Sequence, residues 1–145
     1  MNLEEISILT GGQHFDERGK LSFFNDFDMT SVKRFYIIEP VDSKVLRTWQ
    51  RHKIEQKWFF AIEGSFMVVI LKPDSWGKPS ESLELKEFIL KAGAMQVLHI
   101  PGGWVNGFRA VENNSKLMIF SDFSIGDAVK DDFRFDKRLW FNWEV

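Results

Sequence analysis

Four residues with a fixed spacing constrain this chain more than any other feature of its sequence. Gln50 and His52 are separated by one residue, Lys57 follows after four more, and Gly64 follows Lys57 after another six. Side chains two positions apart on a β-strand point to the same face, so Gln50 and His52 would present their polar groups together. The stretch therefore predicts a strand with functional side chains, followed by a second strand that ends at a glycine turn.

The rest of the chain is patterned for β-structure. Short runs rich in aromatic and β-branched residues alternate with glycine, proline and asparagine turns, which is the pattern of many short strands. The predicted strands are 7–9, 20–25, 33–38, 45–52, 57–62, 65–71, 96–100, 107–112 and 116–122. We expect a hairpin through Gly64 and a long loop over 72–82. Two stretches stay open: 83–90 as strand or short helix, and 127–132 as short helix or loop.

Alternation within 45–52 assigns the side chains of this strand to its two faces. Gln50 and His52 fall on one face, whereas Arg47 falls with Trp49 on the other. Strict alternation therefore separates Arg47 from the two polar residues that follow it.

Composition bounds the class of protein. The chain has 145 residues, which fits a single domain over 1–145, and it is 44% hydrophobic with 15 Phe and 6 Trp, enough for a substantial core. With 19 basic and 21 acidic residues in scattered positions, it has no electrostatic footprint for nucleic acid. The absence of cysteine excludes disulfides and thiolate chemistry. No run reaches the roughly 20 apolar residues of a membrane span, and residues 1–12 lack the basic start of a signal peptide. We expect a cytoplasmic protein.

A second motif follows the first after about forty residues. It reads Pro101-Gly102-Gly103 and, after two residues, Asn106. Together the two motifs resemble those of the cupins, and the resemblance implies an all-β, single-domain cupin (jelly-roll) β-barrel, or double-stranded β-helix. Periodicity alone also allows an immunoglobulin-like sandwich.

Among the four positions that correspond to the metal ligands of cupins, only His52 keeps the residue type of a ligand. An ammonium among the ligands repels a divalent ion by several kcal/mol at contact range, for an effective dielectric constant of about 20. We therefore expect no metal and no other cofactor. The four ligand positions hold Gln50, His52, Lys57 and Asn106.

Several segments are similar to those of cupins that act on nucleotide-linked 4-keto-6-deoxy sugars. These are the dTDP-4-dehydrorhamnose 3,5-epimerases, the related 3,4-ketoisomerases, and short WxcM-like sugar epimerases of polysaccharide loci. The resemblance implies a nucleotide-sugar substrate, with dTDP as the expected carrier, in surface polysaccharide synthesis, and a homodimer. The segments are 15–21 (FDERGKL), 45–52 (VLRTWQRH), 100–108 (IPGGWVNGF) and 133–143 (FRFDKRLWFNW).

The resemblance also implies roles for individual residues. Reactions beside a ketone need a base for the neighbouring carbon and a cation or donor for the enolate oxygen. His52 is the expected base, Lys57 or Arg47 the partner of the oxygen, and Gln50 an orienting group. The candidate acid is Tyr36, and the candidate substrate-binding residues are Arg18, Arg47 and Asn106.

Other positions depart from these families and keep a second hypothesis open. The families' principal histidine base falls on Gln50, a second histidine falls on Asn106, and the region of their tyrosine acid offers Phe120 and Phe123. His52 is then a base or a hydrogen-bonded interior histidine. The chain is either an epimerase or keto-isomerase, or a catalytically inactive cupin that binds a nucleotide sugar or a partner protein.

Overall fold

Antiparallel β-strands are the main secondary structure of the computed structural model, which describes residues 5–131, 133–136 and 139–143. One short helix, α1, spans Ile125–Lys130. The prediction of an all-β chain is confirmed. The strands are β1 Ser7–Thr10, β2 Gly12–Asp16, β3 Gly19–Phe23, β4 Arg34–Ile38, β5 Arg47–His52, β6 Lys57–Glu63, β7 Ser65–Leu71, β8 Lys86–Lys91, β9 Gln96–Ile100, β10 Trp104–Ala110, β11 Lys116–Ser121 and β12 Phe133–Arg134.

Two five-stranded sheets share one hydrophobic core. The first sheet has the order β1-β9-β6-β11-β4, the second has the order β12-β5-β10-β7-β8, and β2 and β3 form a separate ribbon. Phe59 and Leu98 of the first sheet and Phe66 and Phe108 of the second are buried together. The rings of Phe59 and Phe108 meet edge to face with centroids 5.5 Å apart, so the sheets interlock across this core.

A second apolar cluster covers the other face of the second sheet. Trp49 of β5 is wholly buried there. The side chains that pack in the same cluster from outside the sheet are Leu83, Leu85, Phe135, Leu139, Trp140, Phe141 and Trp143. The Trp49 indole N–H donates to the carbonyl of Leu139 at 2.9 Å, and the Trp140 indole donates to the carbonyl of Ser80 at 2.8 Å. Trp49 therefore anchors one face of strand β5 in this second cluster.

The expected hairpin through Gly64 is wrong. Strands β6 and β7 form where predicted, but β6 pairs with β9 and β11, whereas β7 pairs with β8 and β10. Gly64 has a φ of +68°, and a Cβ atom there would lie 2.1 Å from Ser115 Oγ. The chain thus crosses from one sheet to the other at a corner that only glycine fits.

The structure also contains a strand that the sequence does not predict. Gly11 and Gly12 interrupt the pattern after the strand predicted over 7–9, but Gly12 begins β2, one of the two strands of the ribbon. The stretch 83–90 contains strand β8 and no helix, and 127–132 overlaps α1, with residue 132 outside the described residues. Among the described residues, no helix is long and apolar enough to cross a membrane.

Strand β5 contains an irregularity that changes the faces of its side chains. Gln50 pairs with Asn106 and Arg47 pairs with Phe108, so β5 uses three steps where β10 uses two. Residues directly opposite in an antiparallel pair share a face, and Asn106 and Phe108 share one. The prediction that Arg47 lies on the face opposite Gln50 is therefore wrong, because strict alternation does not hold across a bulge.

Candidate active site

A cavity of about 230 Å³ opens between the first sheet, β5 and helix α1. Its lining includes five of the seven residues that the sequence predicts for the site. These five residues are up to 21 positions apart along the chain. The five residues are Tyr36, Arg47, Gln50, His52 and Lys57.

His52 lies in the buried part of this cavity. Its Nδ1 atom is 3.0 Å from the backbone carbonyl of Asp131 and 3.2 Å from Glu55 Oε1. A carbonyl can only accept, so Nδ1 carries a hydrogen that it donates to Asp131, and the Glu55 carboxylate lies at ion-pair distance from the same nitrogen. The other ring nitrogen, Nε2, is then the basic one, and a carboxylate lies beside the ring to stabilise the imidazolium.

Glu55 is a site residue that the sequence prediction missed. It is 2% exposed, and its Oε2 atom lies 3.3 Å from Arg34 Nη2 and accepts a hydrogen bond from the Ser121 hydroxyl. The carboxylate therefore bridges an arginine, a hydroxyl and the candidate base. An acidic residue three positions after the candidate histidine was the available signal, but the turn that brings the two together is visible only in the structure.

Lys57 points inward and is almost fully buried, at 5% exposed. Its Nζ atom lies 3.5 Å from Gln50 Oε1 and 5.9 Å from the ring centroid of Tyr36, and it forms no ion pair with the described residues. A buried ammonium without an anion is costly. Lys57 therefore provides a preformed position for a negatively charged group of a ligand.

Asn106 lies beside the cavity without lining it. It is 2% exposed and stands opposite Gln50 on the neighbouring strand, and its Oδ1 atom has no hydrogen-bond partner among the described residues. An acceptor of this kind is costly unless a donor reaches it.

The structure does not bring Arg18 to the cavity. Arg18 lies at the turn of the ribbon, where its guanidinium pairs with Asp16 at 2.7 Å. These hydrogen bonds to Arg18 lower the pKa of the Asp16 carboxyl. Both residues line a separate surface depression with His14 and Lys20.

His99 lies outside the cavity and is a buried core histidine. It stacks on Trp58 with ring centroids 4.9 Å apart, and its Nε2 atom is 2.8 Å from Gln56 Oε1. Burial lowers the pKa of His99, because the charged form loses hydration.

The donor set of the cavity does not fit a divalent ion. The four positions that correspond to cupin ligands include the Lys57 ammonium, which lies against the amide oxygen of Gln50. A metal ion would meet a positive charge at that distance. No group of three His, Asp or Glu side chains within the described residues is arranged to hold a metal.

The charges of the cavity are suited to an anionic ligand. Arg34, Arg47 and Lys57 contribute three cations, against the single carboxylate of Glu55. The apolar part of the lining comes from Ile38 and Ile119 of the first sheet and from helix α1, whose Ile125 and Val129 side chains are largely exposed. The arrangement can hold an anion, stabilise an oxyanion and move a proton at one histidine.

Solved structures of several sugar-modifying enzymes share this fold. The dTDP-4-dehydrorhamnose 3,5-epimerase of Bacillus anthracis str. Ames, solved with TDP and PPi bound, has a TM-score of 0.76 and 18% identity, and the match covers 100% of this chain and 88% of that one. A dTDP sugar isomerase from Desulfovibrio desulfuricans G20 has a TM-score of 0.75 and 20% identity, with 97% and 92% covered.

A third structure with the same fold contains a nucleotide sugar. It is a mutant of the 3,4-ketoisomerase QdtA from Thermoanaerobacterium thermosaccharolyticum in complex with TDP-4-keto-6-deoxyglucose, with a TM-score of 0.70, 19% identity, and 90% of this chain and 87% of that one covered. No curated protein matches the chain in sequence.

The family of the chain is given by its sequence. The model of the family described as "FdtA: WxcM-like, C-terminal" matches residues 4–139, which is nearly the whole chain. This match confirms the resemblance to WxcM-like proteins. The chain therefore belongs to the WxcM-like, C-terminal family.

Proposed function

We propose that the protein is a metal-independent epimerase or keto-isomerase of a nucleotide-linked 4-keto-6-deoxy sugar. One observation carries this proposal: the His52 imidazole is held by Glu55 at the buried end of a cavity that also contains the buried Lys57 ammonium. A base and a cation in one small cavity are what enolisation beside a ketone needs. The structures of the same fold with TDP or TDP-4-keto-6-deoxyglucose bound support dTDP as the carrier.

The proposed reaction begins with the loss of a proton from the carbon next to the ketone. Nε2 of His52 accepts this proton, and Glu55 stabilises the resulting imidazolium at Nδ1. The electron pair of the C–H bond moves to the carbonyl oxygen, where Lys57 stabilises the enolate. A proton then returns to carbon, and Tyr36 is the candidate acid.

The other site residues have binding roles in this proposal. Gln50 orients the substrate and accepts a hydrogen bond from Lys57. Arg47, which is exposed at the cavity mouth, contacts the diphosphate through its planar guanidinium. Asn106 supplies a hydrogen bond at the edge of the site, and Arg18 of the ribbon remains a candidate for the phosphates.

The finer predictions about the whole protein belong to the same proposal. The two sheets and their shared core support a cupin jelly-roll barrel that forms one domain over 1–145. A cytoplasmic homodimer that acts in surface polysaccharide synthesis is the setting we propose for this activity.

Deuterium wash-in tests the proposed reaction. The protein is mixed in heavy water with 4-keto-6-deoxy sugars on dTDP, UDP and GDP carriers, and the ring protons are followed by NMR. We expect exchange at the carbon beside the ketone with the wild-type protein and none with His52→Asn. A wild-type protein that exchanges no proton on any carrier would refute the enzymatic function.

A binding module is the second candidate function. It is favoured by the amide of Gln50 at the position of the families' histidine base, because an amide cannot accept a proton at neutral pH. In this case the same samples would show line broadening of the bound nucleotide sugar without exchange, and His52 would be a structural residue.

A further inference from the structure

Asp131 joins helix α1 to the segment that carries the candidate base. It is the C-cap residue of α1, and its backbone N–H donates to the carbonyl of Ala128 at 3.1 Å. It is 7% exposed, and its carboxylate and backbone carbonyl both make hydrogen bonds to residues 52–55. The proposed mechanism does not use this residue.

The carboxylate of Asp131 fixes the turn after β5. It accepts the backbone N–H groups of Lys53 at 3.1 Å, Ile54 at 2.9 Å and Glu55 at 2.8 Å. Asp131 forms no ion pair among the described residues, so backbone donors hold its charge. Hydrogen bonds to an ionised acceptor are about twice as strong as neutral ones, so the backbone position of Glu55 is held firmly.

The backbone carbonyl of Asp131 contacts His52, the other member of the His52–Glu55 pair. The carbonyl oxygen lies 3.0 Å from His52 Nδ1, and Glu55 Oε1 lies 3.2 Å from the same nitrogen. Two acceptors at Nδ1 keep the hydrogen on that nitrogen and leave the basic lone pair on Nε2. One residue therefore controls both the place of Glu55 and the tautomer of His52.

We infer that Asp131 is a positioning residue that sets the proton affinity of His52 through the turn 53–55. The inference rests on the proposed function for its effect on catalysis. Helix α1, whose C-cap is Asp131, contributes Ile125 and Val129 to the apolar lining of the cavity. This part of the lining and the histidine–carboxylate pair are thus joined through one residue.

The variant Asp131→Asn tests this inference. The amide keeps the size of the side chain but removes the negative charge and turns an NH₂ group toward a backbone N–H. Because the amide disrupts a buried hydrogen bond, we expect kcat to fall about 10- to 100-fold, which corresponds to about 1.4–2.7 kcal/mol, and KM to change less than about threefold. The acid limb of the pH–rate profile should move to lower pH, because the imidazolium loses a stabilising anion.

Asp127→Asn is the matched control on the same helix. Asp127 is exposed in the first turn of α1, where its carboxylate contacts the Ser124 hydroxyl at 3.0 Å. The control should keep the wild-type kcat and pH profile. An Asp131→Asn protein with a lower Tm but an unchanged kcat and pH–rate profile would show that Asp131 is structural only.

Two further measurements keep the inference testable if Asp131→Asn does not fold or no sugar is turned over. The tautomer of His52 in the wild-type protein can be read from its ¹⁵N shifts, and a hydrogen on Nε2 instead of Nδ1 would overturn the inference. The second measurement is an NMR titration of the His52 ring against pH. If no carrier gives exchange, the proposed function fails, and this titration alone tests the role of Asp131. A midpoint of His52 protonation that moves in Asp131→Asn but not in Asp127→Asn supports the inference, and equal midpoints contradict it.

Discussion

Glu55 is the residue on which the interactions of the proposed site converge. Its two oxygens contact His52, Arg34 and Ser121 from three different strands. We predict that Glu55→Gln lowers the unfolding free energy by about 1–3 kcal/mol, because the amide cannot satisfy all three neighbours. The rate of proton exchange at the sugar should fall at least about tenfold, which corresponds to an increase of about 1.4 kcal/mol in the activation free energy.

The exposed residue Glu87 of β8 provides the control for this prediction. Chemical denaturation and deuterium exchange on Glu87→Gln should both match the wild type. Equal exchange rates for Glu55→Gln and the wild type would remove Glu55 from the mechanism.

Replacement of Lys57 should lower the activity without lowering the stability of the protein. Because its buried ammonium has no carboxylate partner among the described residues, Lys57→Met should keep the unfolding free energy or raise it by up to about 1–2 kcal/mol. Loss of the cation from the enolate should lower kcat by at least about 100-fold. Thermal unfolding and kinetics of Lys57→Met, compared with Lys91→Met at an exposed position of β8, measure both effects. A large loss of stability would mean that the ammonium is paired in solution.

At the scale of single residues, the sequence predicts which side chains of one strand lie together, but not which side chains a turn brings together. Gln50 and His52 share a face because two positions on a strand do so in any sheet. Glu55 and Asp131 could not be predicted, because their places depend on a turn and on a helix cap 76 positions away. Arg18 was assigned to the site only by the resemblance, and in the structure of the single chain it lies outside the cavity.

At the scale of elements, helix α1 has the clearest functional consequence. The reacting groups lie at the buried end of the cavity, whereas Ile125 and Val129 lie at its exposed end, so the nucleotide part of the substrate should cover them. We predict that Ile125→Ser weakens dTDP binding about fivefold, since roughly 1 kcal/mol of apolar burial is lost. Calorimetry on Ile125→Ser and on the control Ile89→Ser at the edge of the second sheet measures this. Equal affinities would place the nucleotide elsewhere.

Most strands could be predicted from sequence, but their partners could not. Alternation and turn residues mark where strands begin and end, so β6 and β7 were located closely. The corner at Gly64 looks like a hairpin turn in sequence, because a glycine with positive φ serves both purposes. Only the contact with Ser115 distinguishes the two.

At the scale of the whole molecule, the buried His99 should make stability depend on pH. Its pKa is lowered in the folded protein by burial, so the unfolded chain takes up the proton first as the pH falls. Stability is therefore full above the ordinary pKa of about 6.5 and decreases as the pH falls below it. We expect His99→Gln to reduce the drop in Tm between pH 7.5 and 5, and His14→Gln, at an exposed position, to leave it unchanged. Identical pH dependence in all three proteins would contradict this.

The exposed apolar edge of the first sheet supports the proposed homodimer. Phe35 and Ile37 of the edge strand β4 are 60% and 48% exposed, and Phe35 contacts Phe120 on the same face. We predict a dimer by light scattering at micromolar protein, which Phe35→Glu weakens and Ile89→Glu at the edge of the second sheet does not. A monomeric mass for the wild type would refute this prediction.

The bulge in β5 lets the strand carry one extra residue without moving Arg47 off the face that borders the cavity. Three steps separate Arg47 from Gln50, and Arg47 reaches the cavity only because the bulge absorbs the extra one. Deletion of Thr48 would restore regular pairing and leave Arg47 two positions before Gln50, and therefore on the same face. A shortened chain of this kind would keep the same side chains at the cavity, so a change of length at this position is one that the site can tolerate.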